Sequence, residues 1–186
     1  FVDGTPIVMT VPYLFIENFM SGDDYYLNYY FASFTRMIRI ISYFLSICIP
    51  ALYIAIITFH KEILPSSLAI SIIGAREGIP FSTFTECILM IIIFEILGEA
   101  GNRSGSGATT ALGIVGGIVV GQAAVEARLI SAPMIIVVAL SAISELMIPN
   151  VKGSTIIFRF IFIFLSSILG LYGFTIAFLL LIVHLS

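Results

Sequence analysis

The sequence predicts an all-α, polytopic integral membrane bundle with about five or six membrane segments, half or broken helices among them. Composition is the first observation. Of 186 residues, 60% are hydrophobic and only 10% charged, whereas a soluble domain carries about 25% charged residues. Mean hydropathy is +1.15. The second observation is the length of the apolar runs, at residues 40–59, 89–97, 134–140 and 156–185. A hydrocarbon core about 30 Å thick is crossed by about 20 apolar helical residues. A membrane β-barrel would instead alternate apolar and polar residues over strands of about 10. The runs here are continuous, so helices are expected. A net charge of −3 with no basic patch argues against nucleic acid.

Taken in order, residues 1–30 are the least membrane-like. Pro6 and Pro12 interrupt them, and Ser21-Gly22-Asp23-Asp24 reads as a turn with a helix cap, Ser21 paired with Asp24. Tyr25, Tyr26, Tyr29 and Tyr30 fit an interfacial aromatic belt. This juxtamembrane segment is expected to lie on the membrane or dock on the bundle, and residues 31–186 form the transmembrane domain. The first span covers residues 31–59, with Arg36 and Arg39 near its start and Pro50 as a kink or break. Residues 64–73 are too short to cross and suggest a half-helix. Residues 83–98 form the next span, and residues 100–107 a Gly/Ser/Asn loop. Residues 108–127 form a small-residue helix and 130–148 another span. Residues 153–186 exceed one crossing, so Gly170-Leu171-Tyr172-Gly173 marks a bent helix or a tight hairpin. The chain begins at Phe1 with no signal-peptide pattern, the expectation for a piece of a longer protein.

Ionisable residues within apolar spans are costly, and they mark function or obligatory pairing. Glu95 and Glu99 share a helix face, and Glu86 lies about half a turn away from Glu95. Arg76, Glu77 and Arg103 flank them, so the six residues form a candidate intramembrane polar network. The plainer alternative is a set of structural ion pairs at helix ends. Gly113, Gly117 and Gly121 recur every four residues and build a stripe for close helix packing, within the chain or between copies. On a neighbouring face Val115, Val119, Gln122 and Glu126 align as candidate pore-lining residues, against buried hydrogen bonding as the bland account. Cys48 and Cys87 sit inside apolar runs as small hydrophobes. Ser104-Gly105-Ser106-Gly107 lacks the Lys of a phosphate loop. His60 and His184 have no metal-ligand spacing around them, and no catalytic arrangement is visible, so neither enzyme chemistry nor a cofactor or metal is expected.

Several runs together resemble one family. They are Val2-Asp3-Gly4-Thr5-Pro6, Pro50-Ala51-Leu52-Tyr53, Thr58-Phe59-His60, Ala75-Arg76-Glu77-Gly78-Ile79-Pro80-Phe81, Phe94-Glu95-Ile96-Leu97, Glu99-Ala100-Gly101, Gly113-Ile114-Val115-Gly116-Gly117 and Gly121-Gln122-Ala123-Ala124-Val125-Glu126-Ala127. The family is the A subunits of the nutrient germinant receptors of endospore-forming bacteria, and the resemblance spans nearly the whole chain. It implies the membrane domain of a larger protein in the inner spore membrane, beside a permease-like B subunit and a lipoprotein C subunit. It further implies a homo-oligomer, as a ring, that converts nutrient sensing into ion release. The sequence departs from the family pattern at Ser104 to Thr110, where a more apolar, proline-containing connector is usual. It also departs at Gly98, where Arg is common, and at Arg128 and Glu145, where small residues are common.

Three readings follow. The resemblance favours an ion-conducting receptor subunit. Broken helices and intramembrane acids suggest a secondary transporter, although no inverted repeat is visible. A non-conducting scaffold of the receptor complex is the third.

Overall fold

A computed structural model describes residues 14–103, 107–148 and 151–185, with the side chains of residues 100–115 and 118 left aside. Among the described residues there are seven α-helices and no strand. They are α1 (Tyr29–Phe59), α2 (Ser66–Arg76), α3 (Thr83–Arg103), α4 (Gly107–Glu126), α5 (Ala132–Leu146), α6 (Lys152–Leu169) and α7 (Leu171–Leu185). Short 3-10 helices at Phe15–Phe19, Gly22–Tyr26 and Lys61–Ile63 complete the chain.

Helix α1 is the axis of the bundle. Its 31 residues make it about 46 Å long at 1.5 Å per residue. Tyr43, Ile47, Ala51 and Ile54 recur at spacings of four and three, so one stripe stays buried along its length. Helices α3, α5, α6 and α7 pack on α1, and α4 packs on α3. Met90 and Ile91 of α3, Met134 and Val138 of α5, Phe162 and Ile163 of α6, and Leu181 of α7 close the same core. Among the described residues two helices, α1 and α6, are long and apolar enough to cross a membrane. On α6 the usual polarity is inverted. Thr155, Arg159 and Ser166 are buried, while Ile157, Ile161, Phe164 and Ile168 are exposed.

The N-terminal segment docks on the bundle at least from residue 15 onward. Phe15 and Phe19 meet Tyr43 edge-on, with centroids 5.6 and 5.7 Å away, and Phe19 is buried. Tyr25, Tyr26, Tyr29 and Tyr30 remain exposed. The expected loop over residues 100–107 is shorter than composition suggests, because α3 continues through Arg103 and α4 begins at Gly107. Gly101 and Asn102 are poor helix formers, but they extend a helix already propagating from an apolar run.

Between α6 and α7 the chain forms a hairpin. Phe162 meets Phe174 at 5.6 Å and Phe158 meets His184 at 5.0 Å, so the two helices run antiparallel. The reversal needs glycine twice. Gly170 holds φ of 61°, closed to most side chains. Gly173 lies against the α6 backbone, where a Cβ would fall 2.0 Å from the Leu165 carbonyl oxygen. Gly173→Ala is therefore expected to destabilise the bundle by about 1–3 kcal/mol, read as a lowered thermal midpoint in detergent. Gly153→Ala, where a Cβ would meet nothing within 4 Å, is the matched control and should leave the midpoint unchanged.

Candidate functional site

The polar residues gather in three places, and the first begins with a proline. Pro50 has no N–H, so the Ser46 carbonyl one turn earlier loses its helical partner. In a buried setting that oxygen needs a donor. Ser141 Oγ of α5 donates to it at 2.6 Å and Arg159 Nε of α6 at 3.1 Å. Arg159 is only 2% exposed. Its Nη1 donates to Glu95 Oε1 of α3 at 3.1 Å, and its Nη2 donates to Glu145 Oε2 of α5. Lys152 Nζ closes the cluster on Glu95 Oε2 at 3.3 Å. One buried cation thus joins α1, α3, α5 and α6, with Glu95 and Glu145 balancing Arg159 and Lys152. Glu145 Oε1 is buried and has no hydrogen-bond partner.

The second cluster centres on Glu86, whose side chain is fully buried at the start of α3. Arg76 Nη2, at the end of α2, donates to Glu86 Oε1 at 3.0 Å. Ser131, the residue before α5, donates to Oε2 through its backbone N–H at 3.1 Å and through its Oγ at 2.8 Å. A carboxylate over the first turn of α5 also complements the helix dipole.

The third cluster fastens the N-terminal segment. Asp24 accepts from Arg39 Nη1 at 2.7 Å and Nη2 at 2.9 Å, from Arg36 Nε at 3.3 Å, and from the Ser21 N–H at 3.1 Å. Arg39 also donates to the Phe19 carbonyl. The charge-assisted bonds from Arg39 hold the Asp24 carboxyl well below the usual carboxylate range, against the opposing effect of burial.

The six residues expected to form one network are divided. Arg76 pairs with Glu86, whereas Glu95 belongs to the Arg159 cluster. Nine residues of helix separate the two carboxylates, about 13 Å along the axis. Glu77 is exposed and lines a smaller cavity of about 480 Å³ with Gly78 and Arg128. Glu99 is exposed near the end of α3, and the Arg103 side chain lies outside the described residues.

Helix α4 presents two faces. A Cβ on Gly117 would meet Phe94 at 3.6 Å, and one on Gly121 would meet Ile135 at 3.6 Å, so both glycines face α3 and α5 of the same chain. Val119, Gln122 and Glu126 are exposed, Val119 to 57%. The side chains at Gly113 and Val115 lie outside the described residues. A cavity of about 770 Å³ opens between α3, α4, α5 and α6, with Gln122 and Glu126 on one wall and Glu95, Glu145, Lys152 and Arg159 on another. Among the described residues no group of acidic, His or Cys side chains could hold a metal ion.

Sequence reasoning passed over Arg159, Lys152 and the role of Ser46. Two signals pointed to them. Arg159 is an arginine within an apolar stretch, and Pro50 necessarily strands the carbonyl four residues back.

The fold defines an all-helical bundle with salt bridges buried between its helices and, among the described residues, two helices long and apolar enough to cross a membrane. A family model described as Bacillus/Clostridium GerA spore germination protein matches residues 1–186, and the chain belongs to the GerA family of spore germination proteins. It is 41% identical to spore germination protein KA of Bacillus subtilis (strain 168) over 99% of this chain and 34% of that protein. It is 39% identical to the uncharacterized membrane protein YfkQ of the same strain, over 100% of this chain and 36% of the relative. Spore germination protein GerLA of Bacillus cereus is 36% identical over 100% of this chain and 38% of its own length. The chain therefore spans little more than a third of these relatives. No solved structure matches it.

Two outcomes follow from the clusters. Arg159→Met leaves Glu95 and Glu145 facing each other without their shared cation and is expected to cost about 3–5 kcal/mol. The double change Arg159→Met with Glu145→Met should cost clearly less, as judged by denaturant midpoints in detergent. For Asp24 the folded pKa lies below the unfolded value of about 3.9. The stabilisation is therefore complete above that value and is lost as pH falls below it. The protection against hydrogen exchange across residues 15–26, corrected for the intrinsic pH dependence of amide exchange, should fall as pH drops below about 4. Asp24→Asn should exchange fast throughout.

Proposed function

We propose that the chain is the membrane domain of a spore germinant receptor subunit, which couples nutrient sensing to ion release in the inner spore membrane. The domain has about five or six membrane segments in all, half or broken helices included, with α2 as a half-helix. Residues 1–30 act as a juxtamembrane segment and residues 31–186 as the transmembrane domain. A permease-like B subunit, a lipoprotein C subunit and further copies of the same chain complete the complex. Family membership supports the germination role. Exposed apolar rows on α5, α6 and α7 support a lipid setting, since in water they would form a large apolar patch.

The observation that carries the channel reading is the orientation of α4. Its glycine face is occupied within the chain, while Val119, Gln122 and Glu126 are exposed, the last two also lining the cavity shared with α3, α5 and α6. Polar side chains on the outer face of an apolar helix need water or a neighbour. In a ring of identical chains this face lines the axis, with Val115 and Val119 as an apolar constriction that gates by dewetting. Gln122 and Glu126 form the polar mouth. A transporter would use the charged cluster beside the Pro50 break as its substrate site. A scaffold would leave the outer face of α4 without a conducting role.

The test is potassium release from germinating spores carrying Val119→Ala or Val119→Thr in the full-length protein. A smaller or more polar constriction is expected to give faster or spontaneous release at normal receptor levels. Unchanged release would remove the gate from this helix and favour the scaffold.

A further inference from the structure

The smaller cavity has a volume of about 480 Å³, within the range of small-molecule sites. The end of α2, the turn Glu77-Gly78-Ile79 and the chain leaving α4 form its walls, with Val125 and Ile130 as apolar lining. Two opposite charges line it, Glu77 and Arg128. Both residues are exposed, so a ligand reaches them from outside. Among the described residues neither enters an ion pair or a side-chain hydrogen bond. Of the neighbouring ions, Arg76 is taken by Glu86, and Glu126 lines the larger cavity. Arg128 is also held in an unfavourable backbone conformation. Its φ is 53°, in the left-handed region that glycine usually occupies at a helix end. Gly78 on the facing wall has φ of 86°, and a Cβ there would fall 3.3 Å from Arg128 Nη1. Two backbone exceptions thus converge on one guanidinium. Strain of this kind clusters where a side chain is placed for use.

Helix α2 indicates what kind of molecule arrives there. None of its residues is buried, yet Leu68, Ile70 and Ile73 present large apolar side chains. In the lipid setting proposed above, acyl chains cover them, and the head groups then lie at the polar end of the helix beside Glu77. We propose that this cavity holds the head group of a phosphatidylethanolamine lipid, with its phosphate on the Arg128 guanidinium and its ammonium on Glu77. A guanidinium fork matches two phosphate oxygens at once, and a primary ammonium offers its protons to a carboxylate. The two charges of the wall meet the two charges of the head group, so neither side is left with a net charge. Phosphatidylcholine carries the same phosphate, but its methylated nitrogen donates no hydrogen bond. Phosphatidylglycerol brings no cation to Glu77. The site requires the lipid setting, but not that α4 lines a pore.

Single-lipid dissociation constants are measured by native mass spectrometry on the full-length protein in detergent. The probes are phosphatidylethanolamine, phosphatidylcholine and phosphatidylglycerol with identical acyl chains. Phosphatidylethanolamine is expected to bind about fivefold tighter than the other two, and Arg128→Gln should weaken it about tenfold. Glu77→Gln should remove the difference between phosphatidylethanolamine and phosphatidylcholine. Arg128→Gly takes away the guanidinium and relieves the backbone. It should lose the preference while keeping or raising the thermal midpoint, which a merely structural arginine would not do. Lys61→Gln, at another exposed cation, should leave the preference unchanged. Soluble phosphoethanolamine should not displace the lipid at matched concentration; displacement as effective as by the lipid would overturn the lipid assignment. Equal affinity for the three lipids, or an unchanged preference in Arg128→Gln, would overturn the head-group site and leave the membrane setting intact. Failure to bind any lipid would overturn both.

Discussion

The arrangement of the bundle depends on one backbone oxygen. Pro50 cannot donate to the Ser46 carbonyl, and α1 is the axis on which α3, α5, α6 and α7 pack, so that oxygen is stranded in the core. Its donors must come from other helices. Ser141 and Arg159 answer, and the guanidinium they bring in requires carboxylates in turn. Glu95 and Glu145 supply them from α3 and α5. Because an arginine fork has fixed geometry, satisfying all its partners sets the register of four helices at once.

This dependence gives the polar groups a single inward direction. Thr155, Arg159 and Ser166 turn towards the α1 core, and the opposite side of α6 becomes a row of exposed isoleucines and a phenylalanine. Helix α7 returns along α6 because Gly170 and Gly173 allow a reversal that side chains would block. In a lipid setting such a distribution is favourable, since apolar packing between helices gains little there and hydrogen-bonded polar contacts hold them together.

Helix α4 stands apart from that scheme. It carries no member of the ion cluster and reaches the bundle through small residues against α3 and α5. The same glycines that admit close approach leave Val119, Gln122 and Glu126 exposed, the last two beside the cavity that α4 shares with α3, α5 and α6.

The sequence by itself determined the helical class, the apolar exterior and the kinship to germination proteins. Composition, run length and local motifs are properties of neighbouring residues, and these carry that information. It also marked Glu86, Glu95 and Arg76 as unusual, because charge within an apolar run is costly wherever the run ends up. Tertiary structure alone decided the partners. Arg76 and Glu86 are 10 residues apart, but Arg159 reaches Glu95 across 64 and Ser46 across 113. No helical or strand period links such positions. Whether residues 153–186 bend or fold back was likewise undecidable from apolar length, because both solutions bury similar side chains. The antiparallel packing of Phe162 on Phe174 resolves it, through a backbone contact at Gly173 that only the folded hairpin creates.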